Sequence, residues 1–155
     1  MALLYVERIR RERSYELFSS SSNGMQSEVV NQIASALRRA AERERLLPYK
    51  CFHSLFDPGE PVLRRMAALE KAATSLGEET CVDYGVLLAL DNGLPGDDFF
   101  IRFKRNRRDE YVAVMGLGNC GRSITKRRLI AAAERDRVFA HAKRRAADTE
   151  AETGY

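Results

Sequence analysis

Along residues 27–47 apolar side chains return every three or four positions, at Val30, Ile33, Leu37 and Ala41, while Arg38, Arg39, Glu42, Arg43 and Arg45 take the other side. That period predicts an amphipathic helix ended by Pro48, which has no N–H to give the helix ladder. A second helix is predicted from Asp57 to Leu76. Asp57 caps it with Glu60 three residues on, its stripe is Val62, Met66, Leu69, Ala73 and Leu76, and Gly77 stops it. Between Glu79 and Asn92 the spacing of Val82, Val86 and Leu90 predicts a short buried helix, although Gly85 weakens it and "CVDYGVLLAL" also reads as a strand.

After Pro95 the period shortens to two. Phe99, Ile101 and Phe103 alternate with Phe100, Arg102 and Lys104, and Tyr111, Ala113 and Met115 alternate with Val112 and Val114. This predicts a β-hairpin over about residues 99–115. A turn between Arg107 and Arg108 sets Phe103 opposite Val112, Ile101 opposite Val114 and Arg105 opposite Glu110, with Arg102, Lys104 and Tyr111 on the outer face. A long basic helix then runs from about Ile124 to Ala146. Its apolar strip is Ile124, Ala131, Val138 and Ala142; Lys126, Arg137 and Arg144 fall together elsewhere, beside Arg127, His141 and Arg145. The fold class expected is α+β: a mainly α-helical single domain with one hairpin and a basic C-terminal helix. Residues 1–24 form an arm ending in the Ser-rich linker "SSSSNG", residues 25–146 the globular domain, and residues 147–155 an acidic flexible tail.

A chain of 155 residues with 45% hydrophobic and 31% charged content is long enough to bury a core and reads as folded. No window is apolar enough to span a membrane, and the opening "MALLYVERIRRER" lacks a signal-peptide core, so the expected location is cytoplasmic or nuclear. Charge changes the picture more. Residues 101–155 hold 14 of the 26 Lys and Arg but only 7 of the 22 Asp and Glu, which makes them +7 and the preceding hundred residues −3. Residues 99–145 alone are +10. A field of one sign over so short a segment predicts a polyanionic partner, nucleic acid (RNA or DNA) first among them.

Gly116, Gly118 and Gly121 make G-x-G-x-x-G after a predicted strand and before a predicted helix. Over about a dozen residues this resembles the dinucleotide-binding fingerprint of Rossmann enzymes. The resemblance implies a second parallel strand and an acidic residue roughly 20 positions on, where this chain has His141 and then only a charged tail. What remains is a helix start whose unpaired N–H groups attract anions, ringed by Arg122, Lys126, Arg127 and Arg128. The competing reading makes the glycines a plain turn, with Ser123 capping the helix and the arginines solvated. The predicted phosphate-binding set is Arg102, Lys104, Arg105, Arg107, Arg108, Gly116, Gly118, Gly121, Arg122, Lys126, Arg127, Arg128, Arg137 and Arg144. Tyr111 and Phe100 are candidates for base stacking, with contact to another element the stronger alternative.

Other chemistry is less well signalled. Cys51, His53, Cys81 and Cys120 include soft ligands but no C-x-x-C spacing, so no metal is expected and the thiols read as buried and reduced. Cys120 lacks a partner base, and Asp97 and Asp98 lack the further carboxylate that phosphoryl chemistry needs. No cofactor and no catalysis are expected. The function expected is non-catalytic nucleic-acid binding in a regulatory or accessory role. The alternatives are an adaptor or homo-oligomeric scaffold built on the helices of residues 27–76, and a nucleotide-binding enzyme.

Overall fold

The computed structural model describes residues 22–118 and 121–154. Its elements are α1 (Ser22–Glu42), β1 (Leu47–Pro48), α2 (Tyr49–His53), α3 (Val62–Leu76), a 3₁₀ turn (Tyr84–Leu87), β2 (Leu88–Ala89), α4 (Asp97–Asn106), α5 (Arg108–Met115) and α6 (Ile124–Thr153). The chain is mostly helical, and its one described sheet is a short parallel pair with Leu47 beside Leu88 and Pro48 beside Ala89. No helix among the described residues is long and apolar enough to cross a membrane. Most of the N-terminal arm lies outside the described residues, and the last part of its linker, residues 22–24, already belongs to α1.

Helices α1 and α3 follow their stripes. Ile33, Leu37 and Ala41 are buried where α1 meets α3, which contributes Leu69, Ala72, Ala73 and Leu76. Helix α3 starts later than Asp57, at Val62, with Pro61 in the capping position and no side-chain cap. Its stripe also begins late, because Val62 is exposed.

The centre of the core is irregular backbone. Every residue from Val82 to Leu88 is buried, and the 3₁₀ turn touches α1, α3 and α6. The helix expected over residues 79–92 is absent because Asp83 captures the backbone: its carboxylate accepts the Gly85 N–H at 2.8 Å and winds a tight turn instead. Gly85 is required there, since a Cβ on it would come within 2.1 Å of the Arg102 guanidinium.

Buried irregular backbone leaves polar groups that must find partners. Charged side chains of α6 supply several of them. The Asp83 N–H donates to Glu134, and the Arg135 guanidinium donates to the carbonyls of Val86 (3.0 Å), Gly93 (2.8 Å) and Leu88 (3.5 Å). Glu134 is wholly buried although it lies in the most basic part of the sequence.

The hairpin over residues 99–115 is not formed; two helices, α4 and α5, occupy it and meet at Arg107. Phe99, Phe100, Arg102 and Phe103 are buried while Ile101 is 65% exposed, which is the period of a helix and not of a strand. The same holds for Tyr111 and Met115, four apart and both buried. Asp97 and Asp98 open α4, Lys104 and Arg105 close it, and Asp109 and Glu110 open α5, all favourable to the helix dipole. The cross-strand pairs predicted from the hairpin therefore do not exist, and Arg105 reaches Glu70 and Glu79 instead of Glu110.

Helix α6 is buried along Ile130, Ala131, Glu134, Val138 and Ala142, whereas Ile124, expected in that strip, is 55% exposed. The helix does not stop at Ala146 but continues through the acidic stretch to Thr153.

Candidate nucleic-acid interface

Folding divides the fourteen predicted site residues into three groups. Five arginines are engaged by acids. Arg102, with a side chain only 5% exposed, bonds Asp83 at 2.8 Å and Asp98 at 3.0 Å. Burial works against its charge, but Asp83 and Asp98 outweigh that and raise its pKa above the ordinary arginine value. Arg105 pairs with Glu70, Arg107 with buried Glu134, Arg127 with Asp97, and Arg137 with Glu110 and Glu134. Apart from those held by Glu110 and Glu134, these pairs join the basic last third of the chain to acids before residue 99. Part of the charge imbalance read from the sequence is therefore neutralised within the chain.

A second group builds the turn between α5 and α6. Gly116 and Gly121 have positive φ (83° and 75°), a region that other residues rarely enter. A Cβ on Gly121 would also lie 2.6 Å from the Tyr111 hydroxyl. Gly118 has no positive φ and, among the described residues, nothing within 4 Å of a built Cβ, so neither its backbone nor its described neighbours call for glycine there. Ser123 caps α6 by accepting the Lys126 N–H at 3.3 Å, Lys126 Nζ donates to the Met115 carbonyl, and Arg127 Nε donates to the Gly121 carbonyl at 2.6 Å. The helix start is thus capped from within the chain, as in the competing reading.

Lys104, Arg108, Arg122, Arg128 and Arg144 remain exposed, with no acidic partner among the described residues. The continuous strip of cations expected from hairpin and helix is therefore reduced to a smaller convergence. Lys104 of α4 and Arg122 before α6 line the same cleft, about 680 Å³, together with Arg127 and its partner Asp97. Leu90, Leu94, Phe100, Ile101, Tyr111 and Ile124 supply the rest of the relevant wall. Tyr111 and Phe100 are not open stacking platforms: both are buried, with Lys104 Nζ 5.4 Å from the Tyr111 ring centroid and the Arg127 guanidinium carbon 4.6 Å from that of Phe100. Arg108, Arg128 and Arg144 do not line the cleft.

The remaining candidate chemistry is occupied elsewhere. Asp97 is held by Arg127; Asp98 accepts from Tyr49 at 2.8 Å and from Arg102, so the two aspartates do not share a site. Burial and then the neighbouring Asp98 charge push the Tyr49 hydroxyl well above its usual range. Cys51 and Cys81 are exposed thiols, not buried ones, and Cys120 lies outside the described residues. Among the described residues no three of His, Cys, Asp and Glu come together as a metal-holding group. No protein-family model, no curated protein and no solved structure matches the chain.

Proposed function

We propose that this protein is a non-catalytic nucleic-acid-binding factor, regulatory or accessory in role, that holds phosphate at the cleft between α4 and the start of α6. The observation that supports this is the convergence of Lys104 of α4 and Arg122, just before α6, on one concavity, neither with an acidic partner among the described residues. Cations left solvated beside a cleft are available to an RNA or DNA backbone.

Fluorescence anisotropy with a labelled oligonucleotide tests it. Lys104→Ala/Arg122→Ala is expected to weaken binding by at least about tenfold, the worth of one to two exposed charge-assisted contacts. Lys143→Ala/Arg144→Ala, away from the cleft, should leave affinity within about twofold. Equal effects of both pairs, or no binding by the full chain, overturn the proposal.

A separate groove of about 470 Å³ favours the adaptor role as a second reading. Val29 and Val30 of α1, Ala67 and Ala68 of α3, and Leu55 and Phe56 before α3 line it, all within residues 27–76 where the oligomer interface is expected. Light scattering of the full chain distinguishes a scaffold, which is oligomeric, from a monomeric binder.

A further inference from the structure

The cleft carries apolar surface that phosphate alone does not need. Leu90, Ile101 and Ile124, at its rim, are 47%, 65% and 55% exposed, and Leu94 and Phe100 lie buried in its lining. Large aliphatic side chains gathered in one concavity beside cations favour a ligand with an apolar face and an anionic group close together. An unpaired nucleotide has both: a base with two flat apolar faces, and a phosphate one sugar away. In a duplex the base faces are stacked inside the helix, and only base edges, sugars and phosphates reach its surface. A volume of about 680 Å³ is on the scale of small-ligand clefts and of one nucleotide unit.

We infer that the cleft takes an unpaired nucleotide, with the base against Ile101, Ile124 and Leu90 and the phosphate towards Lys104 and Arg122, so that the protein prefers single-stranded to duplex nucleic acid. This rests on the phosphate site proposed above. Arg127 fits the same arrangement: its guanidinium is backed by Phe100 and lines the cleft, and guanidinium planes are surfaces on which unpaired bases stack. Asp97 neutralises Arg127 and leaves the phosphate to the other two cations.

The test uses the full chain and three probes: a labelled mixed-sequence strand of about 12 nucleotides, its duplex, and a nucleoside monophosphate as competitor. The strand is expected to bind at least about tenfold tighter than the duplex at one salt concentration. Ile101→Ser/Ile124→Ser removes apolar rim without touching the core or the charge. It should weaken strand binding about five- to tenfold and leave the dependence on salt unchanged, because phosphate contacts persist. Unchanged far-UV circular dichroism of this variant establishes that it is folded. Displacement of the strand by millimolar monophosphate assigns the cleft to a single nucleotide unit; failure to displace assigns it to a strand. Either upholds the base-and-phosphate chemistry. Equal binding of strand and duplex, with Lys104 and Arg122 still required, overturns this inference while the phosphate site stands. Retention of no probe overturns both.

Discussion

Replacing Arg102 with Met separates its place in the core from any part in binding. Its side chain is 5% exposed and that of Asp83 2%, and the two are joined at 2.8 Å, with Asp98 at 3.0 Å on the other side of the guanidinium. Methionine fills similar volume but leaves the buried Asp83 carboxylate without its cation. Removing one member of a buried pair costs about 3–5 kcal/mol, against a total stability of about 5–15 kcal/mol for a domain. For a chain of this length that is a fall in Tm of about 6–20 °C. The sequence has no tryptophan, so urea unfolding followed by circular dichroism is the suitable assay. Asp83→Asn in the same background removes the stranded charge, and the double variant should lose about 2 kcal/mol less than the sum of the singles. Where Arg102→Met remains folded, oligonucleotide binding should match the parent chain. A loss below about 1 kcal/mol, the scale of a surface ion pair, refutes a core role for this arginine.

Arg135→Met removes the donor to three carbonyls of the central segment and should cost about 2–4 kcal/mol in the same unfolding assay, whereas Arg128→Met, exposed and without an acidic partner among the described residues, should change stability by less than about 0.5 kcal/mol. Gly121→Ala, strained by its positive φ and its contact with Tyr111, should destabilise by about 1–2 kcal/mol, while Gly118→Ala should be tolerated; equal effects contradict the assigned roles. Both histidines have pKa values below the ordinary 6.5, each lowered first by burial and then by arginines, Arg65 for His53 and Arg145 and Arg144 for His141. The unfolded chain therefore binds more protons than the folded one once pH falls through 6.5, so stability should decline from there towards the lower folded values. His141→Gln should flatten that decline in a pH series of urea midpoints. In the parent chain the Tyr84 hydroxyl and His141 Nδ1 are hydrogen-bonded at 2.8 Å.

The helical stripes were legible because burial follows a single period: Ile33, Leu37 and Ala41 in α1, and Leu69, Ala73 and Leu76 in α3, are the residues the spacing selects. Residues 99–115 misled because Phe99 and Phe103 are both two positions from Ile101 and four from each other, so one set of letters satisfies strand and helix. Acidic pairs at the head of each helix, Asp97 with Asp98 and Asp109 with Glu110, carried the signal that decides between them. Residues 79–92 read as a buried helix or a strand and not as a turn, because the conformation of Val82–Leu88 depends on Arg102 and Glu134, which lie far along the chain. The site was less legible for the same reason. A local count finds the +10 of residues 99–145, but not that Arg102 meets Asp83 and Arg105 meets Glu70. Complementary imbalance between the two parts of the chain was the available clue: opposite net charges within one domain are also what internal pairing looks like. Lys104 and Arg122 were among the predicted residues, yet their distinction from their neighbours is purely tertiary.

The salt dependence of single-strand binding measures directly how many of the clustered cations remain available to a phosphate backbone. The slope of log K against log[salt] is about −0.7 for each phosphate contacted on a single strand. With Lys104 and Arg122 at the cleft and at most one further cation beside them, the expected slope is about −1.4 to −2. A slope of about −5 or steeper requires about seven phosphate contacts and contradicts binding confined to the cleft.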